Sequence, residues 1–462
     1  MRPYDFQLKT IKSLERFSGR AIIASDTGLG KTYTALWFVE RKTLGETLPL
    51  LIVCPKVIKT QWSKAVKKIL KTQPLILEST RPYKTLPPHA QVVIINYDIT
   101  YYWRDVLLAH NFCTTIIDEC QAVTNPRAKR TKSVLAIARK TKFCIALSAT
   151  PLTNRPIELF PIINCLKPNI WNNRMQYIYR YCNPTWTPWG LDYRGASNIP
   201  ELHNKLKQSC MIRYTTSEVL QELPQKIRRV IPIEIANREQ YDLAERDFKH
   251  WLKLNYPERQ TSSSRALALV KIGYLIRLAS KLKLRTVVNF INYKLENSNE
   301  KIVVFATHRK CIDALERRIK AKNVVVDGRV TGPARDAAIK QFRSDPDTKV
   351  FIGNIAAAGV GLDLIEAGTL YCVELPLKPG PLIQMEGRIH RIGQKQVCQI
   401  IYFIAKHTIE ETILRLLRRK QQVISGTLDG KKSRDFDLVK LLIDKMYYDA
   451  TRRDTTTSQD RV

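Results

Sequence analysis

Two short strings carry residue types that could together work on a chain of phosphates: Asp26-Thr27-Gly28-Leu29-Gly30-Lys31-Thr32 and Asp118-Glu119. Around Gly28 and Gly30, successive backbone N–H groups can turn toward an anion, because neither glycine has a Cβ in the way. Lys31 would place a point charge between the outer phosphates, and Thr32 a hydroxyl on a bound Mg²⁺. A helix starting near Thr32 would add its dipole. Ser25 stands where the strict motif has its first glycine, which leaves the shorter pattern G-x-G-K-T. Asp118 closes the apolar run Thr115-Ile116-Ile117 and would hold Mg²⁺, while Glu119 would orient or deprotonate the attacking water. Phosphoryl transfer asks chiefly for positioning and neutralised charge. Arg388 and Arg391, three positions apart in the string Gln384–Gln394 and so expected on one helix face, could stabilise charge on the γ-phosphate. Alone, an Asp-Glu pair reads as an acidic turn and an arginine pair as a solvated basic face. Together with the glycine loop they point to a nucleotide-hydrolysing site using ATP and Mg²⁺.

These residues need strands to carry them to one place. Ala21–Ala24, Leu50–Cys54, Val92–Ile95, Thr114–Ile117 and Phe143–Leu147 are short β-branched runs, each followed by a polar cluster. Alternating with segments of helical period, they read as buried parallel strands. Ligands in such sheets bind at the carboxyl ends. A second set follows: Ile302–Ala306, Val324–Val326, Val350–Ile352, Leu370–Val373 and Ile400–Ile404. The fold class is therefore α/β with two parallel-sheet lobes. The expected divisions are residues 1–165 for the first lobe, 166–300 for a helical and irregular brace, 301–430 for the second lobe, and 431–462 for a polar tail. In the brace, Tyr241, Ala244, Phe248 and Trp251 share a helical face, and Thr261-Ser262-Ser263-Ser264 reads as a loop. No segment reads as a wedge hairpin that would force strands apart.

Composition narrows the partners. Lys plus Arg number 76 against 42 Asp plus Glu, a net charge of +34. So positive a surface calls for a polyanion, nucleic acid first and a membrane surface second. No apolar run approaches the ~20 residues of a spanning helix, and the first residues lack the apolar core of a signal peptide. The ten cysteines are scattered without a Cys-x-x-Cys pair, which reads as buried free thiols rather than a zinc site.

The whole set resembles the superfamily-two helicase-like ATPases, and within them the Swi/Snf-type DNA translocases. Asp26–Thr32 looks like their first motif. Asp118-Glu119-Cys120-Gln121 resembles their Asp-Glu-Ala-His box, differing in its last two residues. Leu147–Pro151 resembles the third motif and Asn354–Asp363 the fifth; His390-Arg391-Ile392-Gly393-Gln394 is typical of the Swi/Snf group. The segments Arg180-Tyr181-Cys182, Trp189-Gly190, Asp192-Tyr193, Ser197-Asn198, Met211-Ile212-Arg213 and Phe305–Arg309 are similar to the annealing-helicase or fork-remodelling branch. Leu377-Lys378-Pro379 departs from the usual Trp-Asn-Pro. The resemblance implies RecA-like lobes with ATP between them, an adenine-reading role for Gln7, and coupling of nucleotide state to lobe movement by Ser148, Thr150, Gly359, Gly361, Asp363 and Gln384.

A translocase should grip phosphates and ignore bases, since it must step over any sequence. Lys56, Thr60 and Trp62 after one strand, Asn154 and Arg155 after the third motif, and His308 and Arg309 after the first strand of the second lobe are the expected contacts with duplex or forked DNA. Lys59, Lys64, Lys67 and Lys68 would extend the first patch. The expected activity is ATP-driven translocation, with fork remodelling or annealing as its outcome, carried out inside the cell where the DNA is. The rivals are a strand-separating DNA or RNA helicase, a nucleic-acid-binding scaffold with a vestigial ATPase, and a remodeller that strips protein from DNA.

Overall fold

The computed structural model describes residues 2–42, 44–152, 155–187, 190–219, 223–255, 262–355 and 362–417. The described chain up to Leu223 forms one compact unit, and the chain from Pro224 forms another. Residues 166–300 are thereby divided: the part before Pro224 packs into unit 1 and the rest into unit 2.

In unit 1 the five β-branched runs become β1 (Arg20–Ile23), β2 (Leu50–Cys54), β4 (Val92–Asn96), β5 (Thr114–Asp118) and β6 (Phe143–Leu147), and a two-residue strand β3 (Leu75–Ile76) that the sequence reading did not include joins them. Every residue of β2, β4, β5 and β6 is buried, as expected of a parallel sheet covered on both faces. Past a hairpin of β7 (Thr185–Thr187) and β8 (Gly190–Asp192), a short strand β9 (Met211–Ile212) completes the sheet. Its order is β3-β4-β2-β5-β6-β1-β9, and all its pairings are parallel. The carboxyl ends of β5, β6 and β1 are thus side by side. They lead into Asp118-Glu119, Ser148-Ala149-Thr150 and the glycine loop. The sequence reading did not include this antiparallel hairpin.

Unit 2 has its own six-stranded parallel sheet, ordered β10 (Lys226–Ile233), β15 (Cys398–Ala405), β14 (Thr369–Cys372), β11 (Ile302–Ala306), β13 (Val350–Asn354) and β12 (Asn323–Val326). The helix Arg238–Asn255 buries Tyr241 and Phe248 against this unit. The serines expected in a loop instead open the long helix Ser262–Glu296. That helix carries Leu275, Ala279, Leu282 and Val287 into unit 2's core. Lys283, also on it, is fully buried and donates to Glu410 Oε2 at 2.6 Å and to the Phe403 carbonyl at 2.7 Å.

Candidate nucleotide site and nucleic-acid contacts

The glycine loop turns where its sequence allows. Gly28 and Gly30 both adopt positive φ, 84° and 71°, and Gly30 is the N-cap of the helix Lys31–Arg41. A Cβ at Gly30 would lie 2.7 Å from Gln7 Nε2, so the Gln7 amide would have to shift to admit one, while the positive φ itself favours glycine. Gln7 is buried. Its Nε2 donates to the Leu29 carbonyl at 3.2 Å, and its Oε1 accepts from Tyr4 N at 2.9 Å. Lys31 Nζ bonds the carbonyls of Ser25 and Asp26 at 2.8 and 3.0 Å, folding back over the loop it would share with a phosphate. Asp26 is fixed from the β9 side: Thr216 N donates to its Oδ2 at 3.0 Å, and Arg213 pairs with its Oδ1 at 3.5 Å.

The acidic pair is built from below. Trp62 Nε1 donates to Asp118 Oδ2 at 2.7 Å, and the Tyr97 hydroxyl donates to the Asp118 carbonyl. Burial, and next the charge of Glu119, push the Asp118 carboxyl up to about 7, against the opposing pull of Trp62 and Lys31. Glu119 is in the left-handed region (φ 55°, ψ 56°), uncommon for a residue with a Cβ. Gln121 Nε2 donates to its Oε2 at 2.6 Å. Beside them, Ser148 Oγ accepts from Thr150 N at 3.0 Å, closing the turn after β6.

In unit 2 the two arginines meet one backbone carbonyl. Arg388 Nη1 donates to the Leu362 carbonyl at 3.0 Å and its Nε to the Gln384 carbonyl at 3.0 Å, while Arg391 Nη1 reaches the Leu362 carbonyl at 3.4 Å and pairs with Asp363 Oδ1. Gln394, in the same string, is buried and donates to three carbonyls, those of Ile365, Ala367 and Ile389. Next to β11, Glu374 accepts from Thr307 N and His308 N, both at 2.7 Å, and from Ser280 Oγ at 2.7 Å, with His308 Nδ1 2.8 Å away. Burial alone would raise this carboxyl. The bonds from His308 and Ser280 outweigh it and hold Glu374 below the usual range.

The SNF2-related domain model matches residues 7–272, more than half of the chain. The chain belongs to the SNF2-related family. A helicase conserved C-terminal domain follows at residues 282–393. Among curated relatives of this SNF2-related chain, the mouse protein "DNA annealing helicase and endonuclease ZRANB3" is 33% identical over 93% of the chain and 41% of its own length. A Xenopus laevis "SWI/SNF-related matrix-associated actin-dependent regulator of chromatin subfamily A-like protein 1" is 31% identical over 88% of the chain and 42% of its own length. The chain therefore spans about two fifths of the curated relatives it matches. A solved Sulfolobus solfataricus SWI2/SNF2 ATPase core with dsDNA matches at TM-score 0.41 and 19% identity, covering 93% of this chain and 96% of that one. At that TM-score the likeness carries no weight.

Within this SNF2-related chain the expected residues divide. Gly28, Leu29, Gly30, Lys31, Thr32, Asp118, Glu119, Ser148 and Thr150 come together at the carboxyl edge of unit 1, with Gln7 alongside. Trp62 is a correction: at 1% exposure and bonded to Asp118, it faces the core and cannot meet a nucleic acid. The helix Lys59–Leu70 turns its apolar stripe inward and takes Trp62 with it. Lys59 is buried likewise, donating to the Leu77 carbonyl at 2.6 Å, whereas Lys56, Thr60, Lys64, Lys67 and Lys68 are exposed. Arg388 and Arg391 do not share a helix face, because the helix Pro379–Glu386 ends before them with Gly387 as its C-cap. They sit on the turn that follows, with Arg388 buried and Arg391 partly exposed. Asn154, Gly359 and Gly361 lie outside the described residues. Sequence reasoning missed Gln121, Tyr97, Arg213, Thr216 and Glu374. The local signals were Gln121's departure from the family box and Arg213's place in a segment similar to the fork-remodelling branch.

Proposed function

We propose that this chain is the motor core of an ATP-driven translocase on double-stranded or forked DNA, remodelling or annealing it inside the cell. The observation that carries the reading is the set of neighbouring strand ends in unit 1, which bring the glycine loop, the buried Asp118 and the Gln121-held Glu119 to one edge of one sheet. ATP would lay its phosphates against the N–H groups from Gly28 to Thr32, with Lys31 leaving the Ser25 and Asp26 carbonyls to meet them. Gln7 would read the adenine from its place against Leu29.

The residues fit a divalent cation. Asp118 is a buried carboxyl pushed toward its neutral form, and a cation would favour its charged form, with the Thr32 hydroxyl available beside the loop. Mg²⁺ supplies neutralisation of phosphate charge. Glu119 would orient and accept the proton of the attacking water. Arg388 and Arg391 would stabilise charge on the γ-phosphate. Ser148, Thr150, Gly359, Gly361, Asp363 and Gln384 would couple the nucleotide state to movement. Lys56, Thr60, Asn154, Arg155, His308 and Arg309 would hold DNA phosphates. The printed name of the mouse relative, a DNA annealing helicase, supports annealing as an outcome.

The test is ATP turnover without nucleic acid and with duplex, forked and single-stranded DNA and RNA. Duplex or forked DNA is expected to stimulate most. Lys31→Ala should abolish turnover, and Arg391→Ala should lower kcat by about 10³-fold or more while ATP still binds. Stimulation by RNA alone, or by single strands alone, contradicts the reading.

A further inference from the structure

Unit 1 has a second basic surface, lined by none of the residues assigned above. A cavity of about 670 Å³ runs along the helix Lys129–Lys140 and is bordered by the exposed cations Arg127, Lys132, Arg139 and Arg174. The guanidinium groups that are held there are held by neutral atoms: Arg139 Nη2 donates to Asn164 Oδ1 at 3.0 Å, and Arg174 Nη2 to the Tyr193 hydroxyl at 3.3 Å. Among the described residues none of the four cations is in an ion pair, and the single carboxylate on the wall, Glu158, already has a partner. The Thr131 hydroxyl, also on the wall, is buried without a hydrogen-bond partner.

Tyr193 lines this cavity. Arg174 lies 5.2 Å over the Tyr193 ring. Tyr193 directly follows the β7–β8 hairpin, where Trp186 pairs with Leu191 and is 78% exposed. An indole that exposed contributes nothing to the fold's core. A hairpin of two short strands gains no stability from presenting it.

We propose that this cavity and Trp186 form a binding track for single-stranded nucleic acid, taking the unpaired arm of a forked substrate. The chemistry is that of single-strand binders: a groove of unpaired cations for the backbone, and aromatic faces on which bases stack whatever their sequence. An acidic protein segment could satisfy the cations, but it has no use for a bare indole on the hairpin that leads into the tyrosine–arginine stack. The track rests on the translocase reading and adds a site to it. The motor would hold duplex through its strand-end residues, while the hairpin side of unit 1 holds the strand that has left the duplex.

The experiment measures binding of labelled DNA by fluorescence anisotropy, using a blunt duplex, the same duplex with an oligo-dT arm, and oligo-dT alone. Wild type is compared with Trp186→Ala and with Lys132→Ala/Arg174→Ala, and blunt-duplex-stimulated ATP turnover is measured in parallel. Wild type should prefer the armed duplex. Each variant should lose about tenfold on it and on oligo-dT, while blunt-duplex affinity and turnover stay unchanged, which also shows that the variants are folded. The proposal is overturned if the variants bind the armed duplex as wild type does. Equal loss on the blunt duplex, or displacement of oligo-dT by a glutamate-rich peptide of matched charge as readily as by unlabelled oligo-dT, overturns it too. Should wild type show no duplex-stimulated turnover, the translocase reading fails separately, since the arm-dependent loss is read from binding alone.

Discussion

Glu119 is kept in a left-handed backbone conformation that costs a residue with a Cβ about 1–3 kcal/mol, and such strain survives only where the surroundings hold it. The holding groups are Gln121, which grips its carboxylate, and Asp118, whose Oδ1 accepts from Glu119 N at 2.9 Å. A carboxylate so placed is aimed rather than free. Gln121→Ala should therefore lower kcat by about ten- to a hundredfold, with little change in KM for ATP, in a steady-state assay with duplex DNA. The meeting of Lys31, Asp118 and Glu119 at one sheet edge was legible in the sequence because each follows closely on a short apolar run. Trp62, Tyr97 and Glu374 were not, because each acts through a partner far along the chain: Trp62 meets Asp118, and Glu374 meets His308. Trp62 in particular was misplaced, since a tryptophan near a basic stretch looks like a nucleic-acid contact until the helix face it occupies is known.

At the scale of elements, runs of buried β-branched residues announced the strands well: β2, β6 and β11 fall where the sequence put them. The strands β3, β9 and β10 were missed for physical reasons. Both β3 and β9 are two residues long. The strand β10 lies at a sheet edge and carries Arg228, Arg229 and Pro232 among its apolar residues, and an edge position tolerates both charge and proline. The long helix Ser262–Glu296 was read as a brace with a loop at its head, yet it is part of unit 2 and buries Lys283. Lys283→Met alone should destabilise unit 2 by about 3–5 kcal/mol because it strands the Glu410 carboxylate, and pairing it with Glu410→Leu should recover most of that in thermal melts. Glu374 ties the end of β14 to the start of the chain after β11, and its acidity sets a pH dependence. Its folded-state value lies below the ordinary one near 4.5, so its contribution is present above that ordinary value and is lost as pH falls through the lower folded value. Glu374→Gln should lower thermal stability by about 1–3 kcal/mol at neutral pH and by clearly less in acid, so the difference between the two melts shrinks as pH drops.

For the whole molecule the governing quantity is a net charge of +34 carried by a chain with two parallel-sheet units. Charge of that size makes binding to a phosphate polymer strong and salt-dependent without making it sequence-specific, which suits a motor that must pass over every base pair. The sequence made the two-lobe plan legible. It did not make legible the hairpin carrying Trp186, because a two-stranded ribbon with an outward indole follows no buried periodicity. The most direct test of the motor account uses a duplex carrying a labelled third strand, which a protein moving along the duplex must push off. With ATP, the chain should displace the third strand and leave the duplex paired, and Lys31→Ala should displace nothing. ATP turnover stimulated by that duplex with the third strand still in place, or release of a strand of the duplex itself, would contradict the account.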